Sequence, residues 1–266
     1  MHILAERFIQ LALLASVLTG ALCGFVGIYV ILKRIVFLGI AISEVSALGV
    51  AAGLMIGLDP TASALALALG ATIAFWLFGE RRSVSRESII AFAYTMAAAL
   101  AVILVAKNPA AESKGLDLVT GNLLYVRARD LIIMGIVAAT ILGVHIALVK
   151  SFLFVSFDRE TASAVGLRSG WYDLLIYLSL GVSVAVSMKI SGILFVFGSL
   201  VVPPLAGMLF GRRMGAILLA ATLFAVASCV GGVLLSVRLD WPTAPTIVLV
   251  MCALFLVLAA TRRALK

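Results

Sequence analysis

The sequence predicts an all-α, polytopic membrane helix bundle of about nine spans, and three observations carry that fold class. Hydrophobic residues make up 64% of the 266 and charged residues only 12%, where an average soluble domain carries about 25% charge. The mean hydropathy is +1.25. The apolar residues also lie in long uninterrupted runs bounded by charges, which is how helices that cross hydrocarbon read.

The first run, 8–32, follows "MHILAER". That stretch has neither a basic leader region nor an obvious cleavage site, so the run is expected to be a retained span. It carries Gly20-xxx-Gly24, a spacing at which small residues let helix backbones approach. The second run, 37–58, carries Glu44 and a ridge of Gly49, Gly53 and Gly57. The third and fourth, 61–79 and 89–106, flank the basic stretch "ERRSVSRES", and the fifth, 131–149, holds His145 near its end. Residues 174–210 form one apolar stretch of 37 residues, about 55 Å as a single helix at ~1.5 Å per residue. That is too long to cross once, so a break is expected near Lys189, giving spans 174–188 and 190–210. Runs 214–237 and 243–260 complete the set, the last opened by Pro242 and Pro245, whose missing N–H groups cost little at a helix start. One weak run more or less makes the count eight or ten.

Lys and Arg alternate in abundance between the connecting segments. The set containing "KRIV", "ERRSVSRES", the 150–173 loop, "GRR" and the C-terminal "TRRALK" holds 13, and the other set holds 7. By the positive-inside rule the richer set faces the cytoplasm, which puts the N-terminus outside and the C-terminus inside. The net charge of +8 is thus expected to orient the chain, not to bind nucleic acid. No connecting stretch exceeds about 25 residues, too short for a separate folded unit. The expectation is one membrane domain over 1–266. Cys23, Cys229 and Cys252 sit inside apolar runs without CxxC or Cys/His spacing, which favours packing over disulfides or a metal cluster.

Glu44 is the outstanding polar feature. At 100° per residue its stripe contains Phe37, Ile40, Ala41, Leu48, Ala51 and Met55, with the glycine ridge roughly opposite. Such a helix is expected to be buried all round, with Glu44 facing the bundle interior or a path. A carboxylate at the bilayer centre costs about 2.5–3.5 kcal/mol on insertion scales, so an intramembrane acid is a functional candidate by default. The bland alternative is a Glu satisfied by Ser43 or a neighbouring helix. His145 is expected to be a hydrogen-bonded interior residue, and Lys189 to snorkel at the outer turn. Pro203-Pro204 is expected to interrupt the seventh span, either freeing carbonyls toward a cavity or simply kinking the helix.

In "SFDRETASAVGLRSGWYD", Asp158 can cap a short helix through Glu160, Thr161, Ala162 and Ala164, ended by Gly166. A short capped helix in a cytoplasmic loop suits docking against a soluble partner, although an ordinary surface helix has the same pattern. The chain has no GxxxxGK[ST], GxSxG or HExxH stretch and no paired acids in a span. It is therefore expected to be a non-enzyme, and any drive by ATP hydrolysis must come from another subunit.

Five blocks of this sequence, taken in order, resemble the permease subunits of zinc/manganese ABC importers. "GIYVILKRIVFLGIAISEVSALGVAAG" resembles that family's first turn and second span, and "GNLLYVRARDL" its outer-loop segment. "FDRETASAVGL" is similar to its FDPE-x-A-x-x-x-G-L segment. "SGILFVFGSLVVPPLAGML" and "LDWPTAPTIVLV" resemble its two closing blocks. The resemblance implies a homodimer in a prokaryotic cytoplasmic (inner) membrane, with a path at the subunit interface. It implies no permanently bound cofactor, ATP held on two cytoplasmic subunits, and a solute-binding protein delivering the cargo outside. Segment 158–167 matches the coupling helix, so Asp158, Glu160, Thr161, Ala162, Gly166 and Leu167 are the implied docking residues.

The family's second-span motif reads approximately G-D-A-I-S-H, with Asp and His one turn apart and implicated in metal passage. The matching positions are Gly39, Ile40, Ala41, Ile42, Ser43 and Glu44. Ile40 replaces the Asp and Glu44 the His, so one carboxylate stands where two ligands would. Imidazole suits zinc, whereas oxygen ligands favour harder cations such as manganese. The expected function is a permease moving a divalent metal, zinc or manganese, with Glu44, Ser43 and Ile40 as the pathway candidates. A metal chelate or small organic cargo is the alternative within the same machinery. An ATP-independent carrier is another, disfavoured by the lack of a clear internal repeat.

Overall fold

The computed structural model describes residues 7–78, 85–107, 123, 126–211 and 213–264. Among them there is no strand. The helices are α1 (Arg7–Leu32), α2 (Val36–Ile56), α3 (Pro60–Phe78), α4 (Arg86–Ala106), α5 (Ala128–Ala147), α6 (Val149–Phe157), α7 (Arg159–Ala164), α8 (Ser169–Phe210), α9 (Met214–Leu239) and α10 (Thr243–Ala264). Eight of these are long and apolar enough to cross a membrane. Their ends fall within a few residues of the runs read from sequence, because charged residues mark where an apolar helix can leave lipid. In the expected outer-loop block 121–131, positions 121, 122, 124 and 125 lie outside the described residues, and 128–131 open α5.

The 42-residue α8 is two helices joined at Gly192, whose φ of 80° and ψ of 164° are non-helical. The predicted break thus exists but sits three positions past Lys189. Lys189 itself stays helical, since a charge does not end a helix, and its Nζ donates to Asp130 Oδ1 at 3.2 Å. Only a residue without Cβ tolerates the Gly192 conformation, so the break falls there. The sixth span accordingly begins at Ser169 and is not short. Pro203 and Pro204 do not stop the helix: the backbone stays helical through both. Their rings lie against α1, with Pro203 Cβ 3.3 Å from where a Cβ on Gly24 would stand and Pro204 Cγ 2.8 Å from one on Gly27.

The chain divides into two compact units. One comprises Met1–Ile31, Asp117–Ala138 and Ser187–Lys266. In it the small-residue face of α1 meets α9 at Ala221, Ala225 and Cys229 and the second half of α8 at Leu200, Pro203 and Pro204. The expected close approach at Gly20 and Gly24 is therefore present, and Gly27 extends it. Next along, α9 packs on α10, where Gly232 faces Ile247. Buried hydroxyls join the helices: Thr19 Oγ1 lies 3.1 Å from Ser191 Oγ, and Cys23 Sγ donates to Ser187 Oγ at 3.8 Å.

The second unit comprises Leu32–Leu116 and Ala139–Val186. In it α2 packs against both α3 and α4. Gly49 and Gly53 let α2 approach the start of α3 at Pro60, Ser63 and Ala64. The third member of the expected ridge behaves differently. Gly57 has no neighbour within 4 Å of a built Cβ, and its φ of 74° makes it the C-cap of α2. The first half of α8 meets α3 where Thr72 abuts Gly181.

Candidate functional site

Glu44 sits near the middle of α2 and is half-buried. Its stripe is open at both ends, with Phe37 58% and Met55 55% exposed, and half-buried at Ile40 and Leu48. The expectation of a helix buried all round is thus corrected in one respect: the glycine side is packed on α3, while the Glu44 side is partly open in the single chain. The reason is that the close-packing residues lie on one face only, and large apolar side chains occupy the other.

Ser43 does not satisfy the carboxylate. Its hydroxyl is fully buried and donates to the Gly39 carbonyl one turn back at 3.0 Å, away from Glu44. Among the described residues no cation or hydrogen-bond donor is paired with Glu44. No three His, Cys, Asp or Glu side chains among them converge as a metal cage either. Glu44 is thus a half-buried acid on the partly open face of α2, with Ile40 half-buried one turn before it.

The second candidate is the six-residue α7. Asp158 caps it as the sequence predicts, Oδ1 accepting from Thr161 N at 2.9 Å and Oδ2 from the Thr161 hydroxyl at 2.5 Å. These bonds hold the exposed Asp158 carboxyl below its usual range. A depressed carboxyl stabilises the capped form above the ordinary carboxylate pKa, and that contribution disappears as pH falls through the lowered value. At the other end Leu167 N donates to Ala162 O and Gly166 N to Ser163 O, both at 3.0 Å. With φ +90° at Gly166, this is a Schellman stop.

The residues expected to dock a partner separate into two faces. Glu160 and Thr161 are exposed, whereas Ala162 is fully buried and packs α7 onto its own chain. Three exposed apolar residues surround the helix, Phe157 at 63%, Val165 at 69% and Trp171 at 59%. Sequence reasoning passed over them because apolar side chains next to a span read as part of it. Their signal is their position among Lys150, Arg159, Arg168 and Asp173, charges that mark a segment outside the apolar runs.

Two further residues carry the segment's connections. Asp173, buried near the start of α8, accepts from the Lys33 ammonium and forms an ion pair with Arg159 Nε at 3.4 Å. His145 is buried, its ring 4.5 Å from that of Phe152, which in turn meets Tyr172 edge-on at 5.9 Å. His145 is thus part of the packing beneath α6, and among the described residues it joins no cluster of metal ligands.

Comparison with known proteins gives a consistent answer. Residues 5–262 match the family model described as the ABC 3 transport family. The chain is 28% identical over 257 residues to the manganese transport system membrane protein MntC of Halalkalibacterium halodurans, covering 96% of this chain and 87% of that one. It is likewise 28% identical over 256 residues to the manganese transport system membrane protein MntB of Synechocystis, covering 96% and 83%. Among solved structures, PsaBC from Streptococcus pneumoniae in complex with Fab superposes with a TM-score of 0.83 at 26% identity, covering 95% of this chain and 91% of that one.

Proposed function

The chain belongs to the ABC 3 transport family, and on that premise we propose that it is the permease of an ATP-driven importer for a divalent metal ion, manganese before zinc. The observation that carries this reading is the family match over 5–262, nearly the whole chain. The names of the manganese-transport relatives support the cargo. Residues 1–266 act as one permease domain, multi-pass in the inner membrane, with the N-terminus outside and the C-terminus inside. The chain has no ATPase site of its own. ATP is bound and hydrolysed by two cytoplasmic subunits, and a solute-binding protein presents the cargo outside.

The working unit is a homodimer. The partly open stripe of α2 supports this: a carboxylate flanked by exposed Phe37 and Met55 is poorly placed against lipid, and a second copy would cover it. Two Glu44 carboxylates facing each other across the axis would give a transit site of oxygen ligands, which suits manganese better than zinc. Ile40 contributes an apolar wall, and Ser43 sets the helix backbone from behind.

The test is metal uptake by the complex reconstituted with its ATP-binding and solute-binding subunits, across manganese, zinc, iron and cobalt. Manganese-dependent, ATP-dependent uptake is the expected result. The single specific observation favouring a second reading is the Ile40/Glu44 substitution, which leaves fewer ligands than a bare ion would use. In that case no free metal is moved and a chelate is, a result the same assay reads once chelators are added.

The docking role goes to α7, with Glu160 and Thr161 exposed on it, Val165 exposed at its C-cap and Trp171 exposed in the first turn of α8, and Ala162 holding the helix to the permease. Charge reversal, Glu160→Arg, is expected to lower uptake per ATP hydrolysed by about tenfold, because like charge across a docked interface costs specificity. A bulky side chain at Ala162 acts differently, displacing α7 from its seat. Normal uptake per ATP together with normal partner binding in Glu160→Arg would remove α7 from the docking role.

A further inference from the structure

Asp173 joins three separate parts of the chain. It lies near the start of α8 and is 3% exposed. One carboxylate oxygen accepts from Lys33, in the turn between α1 and α2. The other forms an ion pair, 3.4 Å away, with Nε of Arg159, the first residue of α7. The Lys33 side chain is itself only 8% exposed. A second tie closes the other end of α7, where the Ser163 and Ser169 hydroxyls lie 2.5 Å apart. The capped helix is thus held at both ends to the beginning of α8. Through Asp173 it is also held to the turn from which α2 starts.

The chemistry of this junction differs from ordinary packing. Two cations converge on one buried carboxylate, Lys33 from a nearly dry side and Arg159 from the solvent edge, its side chain 36% exposed. Apolar side chains of similar volume would stabilise the fold as well or better, since desolvating an ion pair offsets most of its attraction. What the ion pair adds is fixed geometry: a carboxylate with two oriented partners allows little sliding between the elements it joins. The turn after Lys33 is itself constrained, with Arg34 at φ 55° leading directly into α2. A displacement of α7 can therefore reach α2 through one shared carboxylate and the short turn 33–35.

We propose that Asp173 is the positioning residue of energy coupling, transmitting movement of α7 through Lys33 to α2, the helix that carries Glu44. The proposal rests on the reading of α7 as the docking element and goes beyond it by naming the route from that element to the transport path. Asp173 touches neither cargo nor nucleotide and acts only through the elements it fastens.

The experiment uses the assembled complex, with Cys252→Ser to remove the part-buried native thiol and with Phe37→Cys as a reporter on the α2 stripe that the second copy is proposed to cover, labelled by a maleimide with and without ATP. In the parent complex ATP is expected to change the labelling rate about fivefold or more, a typical coupling between sites. The informative variant is Lys33→Met with Asp173→Asn, which removes the pair without stranding a buried charge. It should still bind the ATP-binding subunit and hydrolyse ATP, yet show less than about a twofold ATP-dependent change at position 37. Asp173→Glu should keep the response. A double variant that assembles and responds as the parent does would overturn the proposal. So would loss of assembly in the double variant, because Asp173 would then be structural only. A parent chain that binds no ATP-binding subunit would instead sink the docking reading, and this proposal with it.

Discussion

Replacing Glu44 by Gln is expected to lower metal uptake about a hundredfold while the permease still assembles with its partners. Gln keeps the volume and hydrogen-bonding reach of Glu and removes only the charge. Since Glu44 is half-buried and unpaired among the described residues, no ion pair in the chain is broken and the helix loses nothing it packs with. Removing a charge from the membrane interior even lessens an insertion cost of about 2.5–3.5 kcal/mol. The loss falls on the cargo. A charge-assisted contact is worth about 1.5–3 kcal/mol, and a homodimer carries every substitution twice, so about 3 kcal/mol or more is removed, equivalent to about two orders of magnitude. Glu44→His should restore part of the uptake and shift preference toward zinc, as imidazole suits that metal. Radioactive manganese uptake beside co-purification of the ATP-binding subunit reads both. Uptake within threefold of the parent, with assembly intact, would take Glu44 out of the path.

Why Glu44 was visible in the sequence and Asp173 was not is a matter of physical scale. An acid inside an apolar run contradicts its surroundings within a few residues, and so does the Asp158 to Gly166 pair that brackets α7. Hydropathy likewise fixes span ends to within a few residues, since the lipid boundary is sensed locally. The length of α8 demands a break, but the charge at Lys189 does not locate it, because backbone conformation decides. Lys189 is content in a helix and Gly192, with φ of 80°, is not. Gly57 shows the reverse case: its spacing places it on the packing ridge, but α2 has ended one residue earlier. Asp173 pairs with Lys33 across a separation of 140 residues, and no periodicity links such positions. The two faces of α7 were also hidden, because in six residues the pattern is too short to separate Ala162 from Glu160.

Substituting Gly27 is expected to damage the fold more than any other glycine change on α1. A Cβ there would stand 2.8 Å from Pro204 Cγ and 2.9 Å from the Leu200 carbonyl carbon, with the Leu200 oxygen closer still. At Gly20 the obstacle is a cysteine side chain that can turn, and at Gly24 the nearest atom is 3.2 Å away. At Gly27 it is backbone, which cannot give without moving a helix. The cause lies in the sequence of α8. Pro204 has no N–H, so the Leu200 carbonyl one turn before it loses its helical donor. That oxygen lies against the bare backbone of α1, where Cα–H groups offer a weak substitute contact. Gly27→Ala should therefore cost about 3 kcal/mol, the upper range for overpacking, and Gly27→Leu should prevent assembly. Gly135→Ala is the matched control: it too lies in an apolar span, has nothing within 4 Å of a built Cβ, and should gain about 0.5–1 kcal/mol from helix propensity. Thermal unfolding of the purified chain in lipid nanodiscs separates the two. Equal stability of the Gly27→Ala and Gly135→Ala variants would mean that α1 and α8 are not in this close contact. Adding Pro204→Ala to Gly27→Ala should restore only part of the loss, because it removes the ring and returns a donor to Leu200 but leaves the carbonyl where the new methyl must go.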